Sequence, residues 1–598
     1  MTSISGEPIP SITEATLTDI ATNGVWGDGL TPSASVLGVS EALLAALRGE
    51  SGVQLPPALA ELVAEVREKA TTELPGIDGA DDVRLSGLAV KLRDGGPHPV
   101  VIVPAGWNPY GWLPFLYLYL TLARKGYHVL AYTPRGLGKK GWLSTSQGFI
   151  DVGGDKDWAD GARVIDFAER YFEPSRIGFL GESYGSGISQ LVAAHDPQDR
   201  VDAVVALSTW GNLATSLYDN GTRHTAAVKA LIGFTGGDPE VLEEKFDEET
   251  VRILKDFENG ENLDKVVAWG TKRSPQTHVG RTNERGIPTF ISNTWHETLF
   301  PVGPVVETFE ELTVPKHLNL WIGDHGAPEG PGLAGLVSGL PFPGLEVPIQ
   351  EAYAWLDHYL LDRDNEVPTW PQVVNQSMFT YETTRTVIGN KITVPAHRES
   401  YASWSEITTG GETWHLTGEG ALTDKPAAGW SRDFTAGSAT EANAGELLAT
   451  GGKEWFGNPK RYDLEQFEPS RLLSWSTDEL TAQSGDAARR IRGAAEVRLT
   501  VRSTEEAATL VAYLFDVAPD GTARIITHEP YTATGLTPDA DTTVGWKLQA
   551  ASYDVRSGHR LALVVNSRDD LYSYAAKKGT VTIGSPSGSE SRLELPLG

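Results

Sequence analysis

Residues 176–195 read RIGFLGESYGSGISQLVAAH. An apolar run of strand length is followed by Gly181-Glu182-Ser183-Tyr184-Gly185, and then by small residues that open a helical pattern. A G-x-S-x-G between a strand and a helix forces the serine into a tight bend, and a Cβ at either flanking glycine would collide with the neighbouring strand and helix. In a chain with 64 glycines the spacing alone says little, so the strand–turn–helix context carries the reading. It lifts the Ser183 hydroxyl above a sheet, at a helix N-terminus.

Outward from this turn, short apolar runs alternate with helical patterns at residues 100–103 (VVIV), 128–132 (HVLAY), 176–180, 201–207 (VDAVVAL), 287–291 (IPTFI) and 317–322 (HLNLWI). Continuous apolar strands alternating with helices predict a mostly parallel sheet covered on both faces. The alternation breaks once, over residues 212–286, which are charged and helical (DPEVLEEKFDEETVRILKDFE). An insertion after a strand in such a sheet sits at the carboxyl edge and reads as a cap. Residues 364–371 (DNEVPTWP) form a proline-bearing joint, beyond which short strands at 497–501, 510–515, 523–527, 560–565 and 579–583 suggest an antiparallel sandwich. The expected organisation is a helical N-terminal segment over 1–80, an α/β domain over 81–211 and 287–363, a helical cap over 212–286, and an all-β domain over 372–598.

Composition limits the chemistry. The 598 residues carry 50 Lys and Arg against 79 Asp and Glu, a net charge of −29, so the overall field does not favour nucleic acid or anionic membrane. There is no cysteine, which removes disulfides, thiolate metal sites and a cysteine nucleophile. The longest apolar stretch, residues 112–123 (WLPFLYLYLTLA), is too short to span a bilayer and reads as a buried helix. Residues 1–10 (MTSISGEPIP) have neither the basic nor the apolar region of a signal peptide. A complete chain would then be cytoplasmic, and a chain from which a signal had been removed would be secreted or held at the cell envelope.

A serine nucleophile needs a base, and the base needs an orienting carboxylate. With a nucleophile turn of this kind the chain order is Ser, then Asp or Glu, then His, on loops after later strands. Glu297 follows the strand at 287–291, and His325 follows the strand at 317–322. His296 is a rival base, though as a loop or pocket-lining residue it keeps the chain order. Asp324 is a rival acid, though a sequence neighbour points the wrong way to brace the next imidazole. His195 and His358 lie on helices and read as packing. For the oxyanion, Tyr184 N–H is one expected donor. The second is expected from residues 104–110 (PAGWNPY), from a backbone N–H at Gly106 or Trp107 or from the Tyr110 phenol. Trp295 and His296 are further candidates for the substrate pocket.

The whole pattern resembles the cocaine-esterase and X-Pro dipeptidyl-peptidase family. The matching stretches are Pro134-Arg135-Gly136-Leu137-Gly138, Asp157-Trp158-Ala159-Asp160, Gly181-Glu182-Ser183-Tyr184-Gly185 and Arg273-Ser274-Pro275. In the last domain they are Phe515-Asp516-Val517 through Gly521, and Gly558-His559-Arg560-Leu561. The resemblance implies an α/β-hydrolase fold with a helical cap insertion and a C-terminal jelly-roll β-sandwich. It also implies hydrolysis of an ester or amide through an acyl-enzyme, with Ser183 as nucleophile and His325 as base. Glu297 stands where the family has Asp, and Ala105 follows Pro104 where family members carry the oxyanion tyrosine. The substrate so implied is a small acyl ester, or a short peptide or amide, with no metal or organic cofactor. Dipeptidyl-peptidase, α-amino-ester hydrolase and acyl-transfer activities are the alternatives within the same machinery. The oligomeric state is not encoded in any pattern that can be read.

Overall fold

The computed structural model describes residues 12–13, 16, 32–335, 347–378, 383–386, 389–392, 397–455, 457–482 and 487–598. The stretch at residues 1–10 read for a signal peptide lies outside the described residues, as does part of the N-terminal segment.

Among the described residues the first domain is built on an eleven-stranded sheet. Its strands are β1 (Ala70–Glu73), β2 (Arg84–Leu92), β3 (Val100–Pro104), β4 (His128–Tyr132), β5 (Ile177–Glu182), β6 (Ala203–Leu207), β7 (Thr289–Thr294), β8 (Lys316–Trp321), β9 (Val373–Gln376) and β10 (Arg398–Tyr401). A short strand at Gly76–Asp78 pairs with β2. The order is β1-β2-β4-β3-β5-β6-β7-β8-β9-β10, with β4 through β9 parallel and antiparallel pairs at both ends. Residues 100–104 and 128–132 are buried throughout, as befits strands covered on both faces.

The sheet is wider than the sequence pattern suggests. Residues 70–78 belong to it rather than to a helical segment ending at 80, and β9 and β10 carry it past the expected limit at 363 and into the region assigned to the β domain from 372. Both extensions have poor apolar signatures. β1 (ATTE) is an edge strand, where polar residues are normal, and β9 (VVNQ) buries Asn375 and Gln376 at positions an apolar pattern cannot flag.

Helices α1 (Ala34–Leu47) and α2 (Pro57–Lys69) pack with α3 (Leu116–Lys125) in one core. α3 is the buried helix expected in the long apolar stretch, and among the described residues no helix is long and apolar enough to cross a membrane. On the other face lie α4 (Asp155–Phe172) and α5 (Tyr184–His195). The cap holds α6 (Leu213–Leu217), α7 (Thr225–Gly233), α8 (Glu248–Asn259), α9 (Leu263–Lys272) and α10 (Pro275–Arg285). Its two ends are pinned together, because Leu213 N–H donates to Ser274 Oγ at 2.8 Å.

The C-terminal region is an antiparallel sandwich of a nine-stranded and a five-stranded sheet among the described residues. Two stretches that carried the family resemblance meet there, with His559 Nδ1 2.7 Å from Asp516 Oδ1. The sandwich also grips the cap. Thr532 N–H donates to the Asn220 carbonyl at 2.8 Å and Ser573 N–H to the Arg223 carbonyl at 2.8 Å, on the short hairpin of Tyr218–Asp219 and Thr222–Arg223.

Candidate active site

Ser183 stands between β5 and α5 with φ 55° and ψ −123°, a conformation that side chains other than glycine rarely adopt. The flanking glycines are required. A Cβ on Gly181 would sit 2.1 Å from the Gly185 carbonyl oxygen, and one on Gly185 would sit 2.2 Å from that of Pro104. The loops after β3, β7 and β8 converge on the same carboxyl edge of the sheet and bring Gly106, Glu297 and His325 to the serine.

His325 Nε2 lies 2.7 Å from Ser183 Oγ, and its Nδ1 lies 2.8 Å from Glu297 Oε2. Glu297 is itself held, since Oε1 accepts from Leu299 N–H at 3.0 Å and Phe300 N–H at 3.3 Å. All three side chains are buried. Burial disfavours a charged imidazole, but the charge and hydrogen bond of Glu297, with Glu182 and Asp324 behind them, outweigh it and raise His325 to about 9. Asp324 faces away from the ring: its carboxylate accepts from Thr298 N–H at 2.8 Å, Thr298 Oγ1 at 2.8 Å and His325 N–H at 2.7 Å. Burial, and then the charge of Glu297, raise Asp324 to about 7.

Of the expected oxyanion and pocket residues, three are at the serine. Tyr184 opens α5; its ring lines the main cavity, and its hydroxyl donates to Asp157 Oδ2 at 2.5 Å. Gly106 packs so closely that a Cβ would be 3.7 Å from Ser183 Cβ and 2.7 Å from Glu182 Oε2. Its carbonyl accepts from Asn108 Nδ2 at 3.1 Å, so across the planar trans peptide the Trp107 N–H is directed the opposite way.

Three are not. Tyr110 packs on Trp142 with ring centroids 5.1 Å apart and lines neither cavity, because the Asn108 side chain folds the loop back by accepting from Tyr110 N–H. Trp295 is turned into the core, donating to the Gln376 carbonyl at 2.9 Å. His296 faces the β domain, with Nδ1 2.8 Å from Glu454 Oε2 and Nε2 3.0 Å from the Ile526 carbonyl. His296 and Glu297, in the turn that follows β7, therefore diverge, one toward the β domain and the other toward His325. His195 stacks on Trp158 at 3.8 Å and His358 lies by Tyr359, both away from the serine.

The main cavity, about 910 Å³ of empty space, runs from Ser183 into the cap. Trp107, Trp210 and Phe300 flank its mouth, and Leu213, Leu231, Ile253, Leu254, Phe257, Val266 and Trp269 continue it. Among the described residues no charged side chain lines it. A second, smaller cavity of about 380 Å³ also reaches the serine, lined by Gly106, Asn108, Phe115, Glu182, Leu299 and His325 among others. Glu182 and the cap's apolar lining went unmarked in the sequence; Glu182 lies inside the elbow motif, and its burial beside a glycine is the signal that could have singled it out.

The remaining motif residues brace this arrangement. Arg135 Nε and Nη2 grip the Asp160 carboxylate at 2.7 and 2.8 Å, and Arg273 Nε donates to the Asp151 carbonyl at 3.0 Å. Among the described residues no group of His, Asp and Glu side chains is arranged to hold a metal ion.

Two family models match the chain: X-Pro dipeptidyl-peptidase (S15 family) over residues 81–327, and the X-Pro dipeptidyl-peptidase C-terminal non-catalytic domain over residues 458–589. The chain belongs to this family. The S15 match ends two residues beyond His325, so it takes in the elbow and both later loops. The family is one of serine-type peptidases and ester hydrolases, and this member is an enzyme of that serine-hydrolase class. Among solved structures, an α-amino acid ester hydrolase is 16% identical with a TM-score of 0.65, over 89% of this chain and 97% of that one. An aminopeptidase from the marine sediment archaeon Thaumarchaeota archaeon is 15% identical with a TM-score of 0.61, over 88% and 96%. A CocE/NonD family hydrolase from Staphylococcus aureus is 13% identical with a TM-score of 0.63, over 88% and 94%. Likeness at this identity establishes the shared fold, an α/β-hydrolase domain followed by a β domain. No curated protein matches the sequence.

Proposed function

We propose that the chain hydrolyses carboxylic esters with a large apolar acyl group through an acyl-enzyme on Ser183. His325 takes the Ser183 proton as the hydroxyl attacks the carbonyl carbon, then returns it to the leaving alcohol. Glu297 keeps the His325 tautomer in place and offsets the imidazolium charge. The N–H groups of Tyr184 and Trp107 receive the oxyanion.

The observation that carries the acyl-ester reading is the uncharged, apolar lining of the cavity that begins at Ser183. A dipeptidyl-peptidase or α-amino-ester hydrolase must hold a substrate ammonium, and an unpaired ammonium in so apolar a space would be costly. The many carboxylates of the cap lie elsewhere than on this lining.

A series of p-nitrophenyl esters from acetyl to octanoyl tests the reading. Each methylene entering the cavity contributes about 0.8 kcal/mol, or roughly a fourfold rise in kcat/KM. A flat or falling series, or faster cleavage of Gly-Pro-p-nitroanilide, refutes it. A fluorophosphonate should label the wild type once per chain and leave Ser183→Ala unlabelled.

A further inference from the structure

The second cavity holds one polar side chain that the mechanism has not used. The Asn108 amide is spent on the Gly106 and Gly111 carbonyls and on Tyr110 N–H. Trp107 Nε1 donates to the Leu231 carbonyl, and Ser183 and His325 are engaged with each other. Glu182 remains. Its carboxyl is buried, makes no hydrogen bond among the described residues, and faces the space beside the nucleophile. A buried carboxyl left without a hydrogen-bond partner has a cost that packing alone does not explain.

Its position is specific. Glu182 Oε1 lies 4.0 Å from His325 Nε2, the nitrogen that faces Ser183 Oγ. That is too long for a direct hydrogen bond and suited to a single oxygen between them. A water about 2.8 Å from each atom would make an angle of about 90° at its oxygen, within the range of ordinary hydrogen-bond geometry. The acyl group occupies the main cavity, so the departing alcohol leaves through this second one, and water enters where the alcohol was.

We infer that Glu182 holds the water that hydrolyses the acyl-enzyme, and so sets the balance between water and alcohols as acceptors. The inference rests on the acyl-enzyme reading above. In the step, the water oxygen attacks the acyl carbon and one of its protons passes to His325 Nε2. The other O–H stays bonded to oxygen and donates to the Glu182 carboxyl, which neither gains nor loses a proton. The carbonyl electrons move to the oxyanion and then return. The bond to Ser183 Oγ breaks, and that oxygen takes the proton back from His325 while the carboxylic acid leaves. An alcohol acceptor has a single O–H, which His325 alone can take. Water needs both partners to be held in one orientation, and that difference gives Glu182 its selectivity.

Stopped-flow turnover of p-nitrophenyl butyrate by the full chain, with and without methanol, separates the two half-reactions. Glu182→Met is expected to slow acylation modestly, because it withdraws part of the support of the His325 imidazolium, and to slow deacylation about 10- to 100-fold more than acylation. A burst of one p-nitrophenol per chain should therefore precede slow turnover. Methanol should speed Glu182→Met far more than wild type, and the methyl ester should replace the free acid as the main product. Glu182→Gln, nearly isosteric and still carrying an acceptor oxygen, should keep deacylation within about tenfold, which covers the case in which Glu182→Met fails to fold. Equal slowing of both half-reactions in Glu182→Gln, deacylation by Glu182→Gln slowed as deeply as expected of Glu182→Met, or an unchanged methanol-to-water product ratio in folded Glu182→Met overturns the inference. An absence of fluorophosphonate labelling and burst in wild type would instead remove the acyl-enzyme reading itself.

Discussion

Removing the charge of Glu297 is the sharpest test of the site. His325 stands at about 9 against an ordinary value of 6.5, so its surroundings favour the imidazolium by roughly 3 kcal/mol. Burial opposes that stabilisation, and Glu297 supplies the largest share of it through a 2.8 Å hydrogen bond to Nδ1. In the proposed mechanism the imidazolium forms as Ser183 attacks, so Glu297→Gln should lower kcat/KM by at least about 300-fold. The pH profile gives a second readout. His325 accepts a proton only when neutral, and its raised pKa means that the neutral form grows as pH climbs through about 9. Wild-type kcat/KM should therefore rise into the alkaline range, and the residual activity of Glu297→Gln should level off at lower pH. Asp324→Asn is the control: its remaining oxygen can still accept from Thr298 and His325 N–H, and losing the second oxygen, which accepts from Thr298 Oγ1, should lower the melting temperature but leave kcat/KM within about threefold. If Glu297→Gln keeps more than a tenth of the activity, or Asp324→Asn matches the loss expected of Glu297→Gln, the acid is misassigned.

Other perturbations bear on the cavity and its supports. Val266→Trp, in the cap lining, should cut octanoyl-ester kcat/KM by at least about tenfold and leave the acetyl ester within threefold. Gly187→Ala places a Cβ 2.0 Å from the Trp210 ring, an overpacking that should cost about 1–3 kcal/mol in denaturant melts. Glu454→Ala strips His296 of its buried partner and should cost on the order of 3 kcal/mol. Burial lowers His296 but Glu454 more than compensates, so its pKa is raised in the folded protein. A raised histidine contributes stability that is complete below its unfolded pKa and is lost as pH rises through the folded one. The gap between wild type and Glu454→Ala in the same melts should accordingly narrow at alkaline pH.

How far the site could be read from the chain follows from which constraints are local. The elbow is local: Gly181 and Gly185 are demanded by contacts with carbonyl oxygens within the same turn and the next strand, so the motif announces itself. Glu297 and His325 needed one further rule, that strand ends of a parallel sheet share an edge, and the structure brings both to Ser183. The fate of His296 could not be read this way, because its partners Glu454 and Ile526 come from more than 150 residues downstream. The expectation for Tyr110 failed for a related reason, since a side chain two positions earlier folds its loop away from the serine. β9 escaped because Asn375 and Gln376 are buried polar residues, and periodicity is blind to them. The empty cavity is a property of five helices together, and no single segment encodes it.

The grip of the sandwich on the cap hairpin and on His296 has a bearing on how such an enzyme could be dissected or recombined. The residue before the proposed triad acid is fastened to a turn and a strand beyond residue 450, and the cap hairpin beside the main cavity is held by the same region. A fragment cut at the proline-bearing joint would also lose two strands of its own central sheet. The two matched modules are therefore not interchangeable cassettes. An exchange of the C-terminal module between relatives would have to carry the hairpin and the loop after β7 with it, so recombination breakpoints that preserve activity are expected to spare both.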